Sequence, residues 1–485
     1  MKKKRKLSAI VSILCFAMVL FVTSCTNGFK DDETFSPGVT NTQLESPDPS
    51  GFTITTVTNN ETGADEFKIE WPVVQGAGGY LFSLYIVDDE DNPVLVGEEE
   101  EFVDGCSIRR PKLEDTYYKA VVKSIGNSEY NNTGADKPTE YAYNSFLLKV
   151  ATIPSGADLA EWFAANPIEK SEEEQAYELE PGGNYTLNGI LDFGKHWITL
   201  RGPIEDTNRP TITFGAEGEF ITMSGLKLRF LNMDCSAATK KAVLSLSTTP
   251  DPSLAIYDTK RHIISETISF QSCNIKGVQK SLFDMSSQDY VLKTFLVSNC
   301  IIQLNNSGSI TTFINCHGGP NNVGCFKDFK VMNSTFYNMV ANTKSYFLRF
   351  ANGSNAQPQK LGFPDKAASI FIANNTFYQV FTGKDFANNM ASHSGISTTI
   401  KNNIFFDCFR MSKIVGGSNV KDIPRDTNFV YAVVGSLDSN DKNTYGTELD
   451  PSFVGPVDKA PDAVNFRPAN STILTAGSGD PRWLP

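Results

Sequence analysis

Three patterns of apolar and polar residues divide the chain. After a basic cluster from Lys2 to Lys6, an unbroken apolar run extends from Leu7 to Val22 and ends at Thr23-Ser24-Cys25. A run without a polar face predicts an exported leader, and it is short for a membrane span. Further on, Phe67 to Trp71 alternates with period two, a glycine turn follows at Gly76 to Gly79, and Tyr80 to Ile86 reads as the next strand. Tyr117 to Val122 alternates again, which predicts a β-sandwich over residues 49–150.

The third pattern is a repeat. The segments Phe270–Ile275, Val297–Ile302, Val331–Phe336, Ile372–Phe377 and Ile400–Phe405 superpose, and Phe230–Cys235 fits as an earlier, diverged copy with Asn232 at the third position. A coil that cannot bury its own apolar face must stack on the next, so the alignment predicts a parallel β-solenoid with Val, Ile and Phe ladders inside. Asn299, Asn333, Asn374 and Asn402 then form a structural ladder at one corner, where asparagine tolerates a left-handed backbone and its amide bonds to coils above and below. A second register, at Lys280–Phe283, Ser309–Thr311, Lys344–Phe347 and Ser412–Ile414, is expected to open the next sheet of each coil. Asp158 to Asn166, with Leu159, Trp162 and Phe163 at helical spacing, is expected to cap the solenoid.

These residues carry resemblances. Val22-Thr23-Ser24-Cys25 resembles a lipobox, which implies a lipoprotein signal peptide over 1–24 and acyl chains on Cys25. The acidic linker, 25–48, contains Lys30-Asp31-Asp32-Glu33, similar to the signals that send Bacteroidota lipoproteins to the outer face of the outer membrane. Trp71, Tyr80, Leu113 and Tyr118 resemble a fibronectin type III domain, with Tyr118 as its tyrosine corner. Glu180 to Leu187 and Trp197 to Gly202 resemble the opening coils of pectate-lyase-like proteins, and the tail from Leu449 to Trp483 resembles the closing segment of Bacteroidota β-helix lipoproteins. The expected fold is therefore all-β: a right-handed parallel β-helix over 151–485 behind a fibronectin type III-like sandwich, close to domains of unknown function.

Charge narrows the partners. The chain has 43 Lys and Arg against 55 Asp and Glu. Removing the five basic residues of the leader leaves a net of −17, of which −14 falls in residues 26–150 and −3 in 151–485. No basic stripe is present, so nucleic acid is not an expected partner. Beyond Cys15 and Cys25, seven cysteines remain, an odd number that argues against a complete disulfide framework and for small buried apolar residues. No metal site is expected, since no Cys-x-x-Cys or His-rich spacing occurs.

The candidate chemistry is that of polysaccharides. Lyases of the resembled fold abstract a proton beside a uronate with Lys or Arg, usually with calcium on clustered carboxylates. The candidate bases are Lys280, Lys344, Arg349 and Arg410; the carboxylate cluster is not visible, with Asp284, Asp328 and Asp407 single. The paired carboxylates of the polygalacturonase type are also missing. His317 and His393 stand in loops beside glycine and are given no catalytic role. The leading expectation is a surface glycan-binding lipoprotein without a cofactor, for a pectin-like or other acidic polysaccharide, working with surface glycan-degrading partners. Tyr346, Phe381 and Lys413 are its expected contact residues. The loop from Gly353 to Lys366 is a further candidate, and Tyr337 and Tyr378, at repeat positions, are candidates whose expected role is packing. A lyase cleaving by β-elimination, with calcium, and an adhesive surface protein are the alternatives.

Overall fold

A computed structural model describes residues 38–485, except 60–64, 88–91, 114–115, 146, 204–207, 257–260, 307–310, 341–344, 351–356, 362, 364–365, 391 and 435–436. The leader, Cys25, the acidic signal and Lys344 lie outside the described residues. Two units divide between residues 146 and 147.

In the front unit, the strands Thr53–Thr58, Asp65–Glu70 and Ser107–Pro111 form one antiparallel sheet. Val94–Leu95, Tyr80–Ile86, Tyr117–Ser124 and Thr139–Asn144 form a second, with Glu101–Val103 also paired to Tyr80–Ile86. Alternation turns Phe67, Ile69 and Trp71 of the first sheet inward against Phe82, Tyr118 and Val122 of the second, one shared core that makes the unit a β-sandwich. Trp71 stacks on Phe82 with ring centroids 5.6 Å apart. The Tyr118 hydroxyl accepts from Leu113 N–H (2.8 Å) and donates to Leu113 O (3.2 Å). Leu113 itself is exposed and contributes backbone, not packing. The segment expected as linker is partly folded: Val39 and Leu44 are buried, and Leu44 N–H bonds to Thr133 O at 2.9 Å.

The second unit is a three-faced parallel β-helix. Face 1 runs in coil order from Lys149–Ile153 through Ile198–Arg201, Arg261–Gln271, Tyr290–Ser298, Cys325–Met332 and Ala368–Ala373 to Val420–Asp422. Face 2 runs from Asn184–Leu187 through Asn274–Val278, Ile301–Leu304, Thr335–Asn338, Thr376–Tyr378 and Ile404–Phe406 to Thr447–Glu448. Face 3 runs from Ile190–Asp192 through Glu219–Thr222, Leu244–Leu246, Phe283–Asp284, Thr312–Asn315 and Tyr346–Arg349 to Ala387–Asn388. The inner ladders are aromatic: Phe336, Phe377 and Phe405 stack at 5.2 and 5.0 Å with nearly parallel rings. Each such fully buried ring contributes roughly 1.5–3 kcal/mol of transfer free energy. Helix α1 (Leu159–Ala165) is capped by Asp158, whose carboxylate accepts from Ala160 and Glu161 N–H, and lays Phe163 against Tyr177 and Phe193 over the first coil.

The corner between faces 1 and 2 is left-handed at the expected residues, with φ of 54° at Asn299, 50° at Asn333, 57° at Asn374 and 55° at Asn402. Some of their amides link coils, as Asn374 Nδ2 to Asn333 Oδ1 at 3.0 Å. The continuous amide ladder, however, is one residue further on and buried. Asn375 N–H donates to Asn403 Oδ1 (3.0 Å) and Asn403 N–H to Asn428 Oδ1 (3.3 Å). Toward the other end it continues through Ser334, Cys300 and Cys273: Ser334 N–H bonds Asn375 Oδ1, Cys300 N–H bonds Ser334 Oγ, and Cys273 N–H bonds Cys300 Sγ. The earliest repeat copy also shifts by two residues: Phe230 holds the left-handed corner (φ 54°), while Asn232 lies in face 2 opposite Asn274.

The C-terminal segment covers the outside of face 2. Phe453, Val464, Phe466 and Trp483 pack on Ile301, Tyr337 and Tyr378. Helix α2 (Ser471–Ala476) is capped by Asn470 and stopped by Gly477 in the left-handed region. Beyond it Asp480, almost fully buried, accepts from Thr335 Oγ1 at 2.7 Å, and Trp483 Nε1 donates to the same hydroxyl. The described cysteines form no disulfide with one another.

Candidate functional site

Face 3 carries Tyr346 and Arg349 among the expected site residues, with Lys280, Arg410 and Lys413 in the segments beside its strands. Its inward side chains, Phe220, Leu244, Phe283, Ile314 and Leu348, are fully buried. The alternate positions therefore point outward in strict register: Asp192, Ile221, Ser245, Asp284, Asn315, Arg349 and Asn388, one per coil. Parallel strands place successive members about 4.8 Å apart. Polar contacts tie the column together. Asn315 Nδ2 lies 3.5 Å from Asp284 Oδ1, and Asn315 Oδ1 accepts from His317 N–H at 3.1 Å.

Arg349 and His317 form the centre. Arg349 Nη2 is 3.3 Å from His317 Nε2, and Arg349 Nε meets no protein acceptor. A guanidinium can only donate, so Nε2 carries the lone pair and the imidazole is neutral. Burial, reinforced by the Arg349 charge, pushes the His317 pKa below its ordinary value. Tyr346 opens the same strand, half-buried, with the Lys384 ammonium 5.9 Å from its ring centroid.

Toward the last coils the strip becomes basic. Arg410 pairs with Asp385 at 2.7 Å and lies over the Phe409 ring. The segment expected to open a strand at Ser412–Ile414 is instead a 3-10 turn over Met411–Ile414, because Asp441 accepts from the N–H groups of Met411 and Ser412 and holds it curled. Lys413 is exposed on that turn. Lys280 is exposed immediately before the face 3 strand of its own coil. At the other end Glu219 is buried, accepts from Ser245 Oγ at 2.5 Å, and is pushed to a raised pKa by burial.

One expectation needs correction, while Tyr337 and Tyr378 pack as their repeat positions imply. Phe381, expected at the glycan surface, is fully buried among Phe377, Phe386 and Phe405 in the inner ladder. Tyr337 is buried beneath Phe466 and donates to Lys459 O at 2.6 Å. Tyr378 packs under Phe453 and Phe466. Sequence reasoning missed Asn315, His317, Lys384 and Asn388. Asn315 stands as far past its corner at Asn299 as Arg349 does past Asn333 and could have been found by counting, whereas the shorter step from Asn374 to Asn388 breaks that rule; His317 and Lys384 have no sequence signal of their own. Among the described residues, no group of three His, Cys, Asp or Glu side chains stands close enough to hold a metal ion, and no helix is long and apolar enough to cross a membrane.

Among known proteins, residues 1–188 match a domain of unknown function, DUF4992, and residues 183–339 match a second, DUF4957. No curated protein matches the chain. Two solved structures are similar in outline. A pectate lyase from Erwinia chrysanthemi shares 10% identity and covers 82% of this chain and 97% of its own, with a TM-score of 0.17. A pectate lyase from Pectobacterium carotovorum shares 8% identity and covers 72% and 86%, with a TM-score of 0.14. Superposition at that level carries no weight, and the β-helix stands on its own sheet register.

Proposed function

We propose that the solenoid binds a polysaccharide along face 3, for capture and not cleavage, and that the glycan is acidic. The observation that carries this reading is the outward column of Asp284, Asn315, Arg349 and Asn388, one hydrogen-bonding side chain per coil at about 4.8 Å, comparable to the advance of a pyranose chain. Beside it Tyr346 offers a ring face, and Lys384, Arg410 and Lys413 outnumber Asp385 at the last coils, which suits carboxylates. Of the bases expected for elimination, Arg410 is paired, Lys280 stands alone at a corner and Arg349 meets His317 in the column. In this proposal acyl chains on Cys25 hold the protein on the outer face of the outer membrane, the front sandwich is a fibronectin type III-like spacer, and captured glycan passes to degrading partners.

One observation favours a second reading. The neutral imidazole of His317 beside Arg349 is a base next to a guanidinium, a pairing that would serve β-elimination, with calcium as the group that neutralises the uronate. The test incubates the full chain with plant and host polysaccharides, following ultraviolet absorbance of unsaturated product beside retardation in glycan-loaded native gels. Retardation without product, weakened by Arg349→Ala, supports the binder. Absorbance growth lost in His317→Ala replaces it by the lyase, and silence in both assays leaves the adhesive protein.

A further inference from the structure

The outer side of face 2 changes character along the solenoid, and the change leaves a cleft. In the later coils the outward columns read Ile301, Thr335, Thr376 and Ile404, and beside them Gln303, Tyr337, Tyr378 and Phe406, covered by the C-terminal segment. In the earlier coils the same columns read Thr211, Asn232 and Asn274, and beside them Thr213, Asp234 and Lys276. The covering segment turns back before reaching them, so that Ala460, Pro461 and Asp462 wall a cleft of about 220 Å³ floored by Thr211, Asn232, Asp234, Asn274 and Lys276.

The wall is held in place from below. Gln303 Nε2 and the Tyr337 hydroxyl both donate to Lys459 O, at 3.0 and 2.6 Å. The next residues close a turn in which Ala463 and Val464 N–H bond Ala460 O. The floor is ordered as well: Asn274 Nδ2 donates to Asn232 Oδ1 at 3.2 Å, Asn232 Nδ2 to Arg209 O at 3.4 Å, and Lys276 pairs with Asp234 at 3.1 Å. Binding there costs little reorganisation.

We infer that this cleft is a second carbohydrate site, specific for a single neutral sugar residue at a chain end or branch. Stacked amides, a carboxylate and an ammonium present donors and acceptors side by side, which matches vicinal hydroxyls, and Ala460 and Pro461 give the C–H face of a ring an apolar wall. Asp234 and Asp462 against Lys276 leave an excess of negative charge, which disfavours uronates and phosphates, the opposite preference to face 3. The volume admits one ring. The inference uses no residue of face 3 and stands or falls separately from the binding proposed there.

The test titrates the full chain with methyl glycosides of neutral hexoses and pentoses and, separately, with uronate oligomers, read by saturation-transfer NMR and calorimetry. Asn274→Ala and, as a variant on the wall outside the solenoid, Asp462→Ala are each expected to weaken a neutral glycoside roughly tenfold, the loss of about one well-made hydrogen bond or more. Arg349→Ala is expected to leave that affinity unchanged while weakening the uronate oligomers. No neutral glycoside binding in the millimolar range, or binding indifferent to both cleft variants, overturns the inference and leaves the face 3 reading to its own assay.

Discussion

Replacing Asn403 by alanine removes the middle rung of the buried amide ladder, and the cost follows from its bonds. Asn403 Nδ2 donates to Lys401 O (2.8 Å) and Ile372 O (3.0 Å), carbonyls of two successive coils, while its Oδ1 accepts from Asn375 N–H (3.0 Å). The side chain is fully buried, so no water replaces it. An orphaned buried peptide N–H costs about 1–3 kcal/mol, and each carbonyl that loses its donor adds about 1 kcal/mol. The expected loss is therefore about 4 kcal/mol, among the largest values single substitutions reach. Urea unfolding followed by tryptophan fluorescence reads it, since Trp483 is docked on Thr335 in the same part of the solenoid. Ser397→Ala, an exposed change on face 1, is the control and is expected to stay within about 0.5 kcal/mol. If Asn403→Ala unfolds within about 1 kcal/mol of the unaltered protein, the ladder is not a stabilising device and the reasoning fails.

At the neighbouring corner the requirement is backbone conformation, so Asn402→Gly is expected to be nearly neutral and Asn402→Ala to cost about 1 kcal/mol in the same unfolding assay. Phe381→Ala is expected to cost about 3–5 kcal/mol while leaving glycan affinity per folded molecule unchanged; a selective loss of affinity would return Phe381 to the site. Burial lifts the Asp480 carboxyl from 3.8 to about 6, so the folded state holds its proton more tightly than the unfolded chain. Docking of the C-terminal segment is then strongest below about pH 4 and loses about 3 kcal/mol as the pH rises through about 6. Trp483 fluorescence against pH should show this dependence, and Asp480→Asn should abolish it.

The repeat was legible because its cause is repeated. Each coil must turn the same corner, so left-handed asparagines recur at 299, 333, 374 and 402, and each coil must fill the same interior, so Phe336, Phe377 and Phe405 recur behind them. The ladder itself was misplaced by one residue, since Cys273, Cys300, Ser334 and Asn375 share a hydrogen-bonding role without sharing a side-chain type. The doublets Asn374-Asn375 and Asn402-Asn403 held the signal. Phe230 hid the earliest corner because a bulky residue there has no counterpart in the later copies. The candidate site was legible only in part. Arg349, Tyr346, Arg410 and Lys413 stand out by type, but the partners that define their chemistry, His317, Lys384 and Asp385, come from other coils at separations set by loop lengths that no motif fixes.

The three faces of one coil share an interior and differ outside, and that difference is where function can enter. Face 1 carries ion pairs such as Arg201 with Glu178 and Lys227 with Glu174, which satisfy each other and leave little to offer a ligand. Face 2 from Ile301 onward is covered by Phe466 and Trp483, held by apolar packing on Tyr337 and Tyr378 and by bonds from Thr335 to Asp480 and from Gln303 to Lys459. Face 3 keeps a polar residue at every outward position from Ser245 to Asn388, although an apolar one would cost the fold nothing there. Polar side chains are ordinary on a solvated sheet; among them Arg349 sets Nη2 against the neutral imidazole of His317. In the proposed reading a uronate carboxylate, planar and anionic, would meet the guanidinium of Arg349.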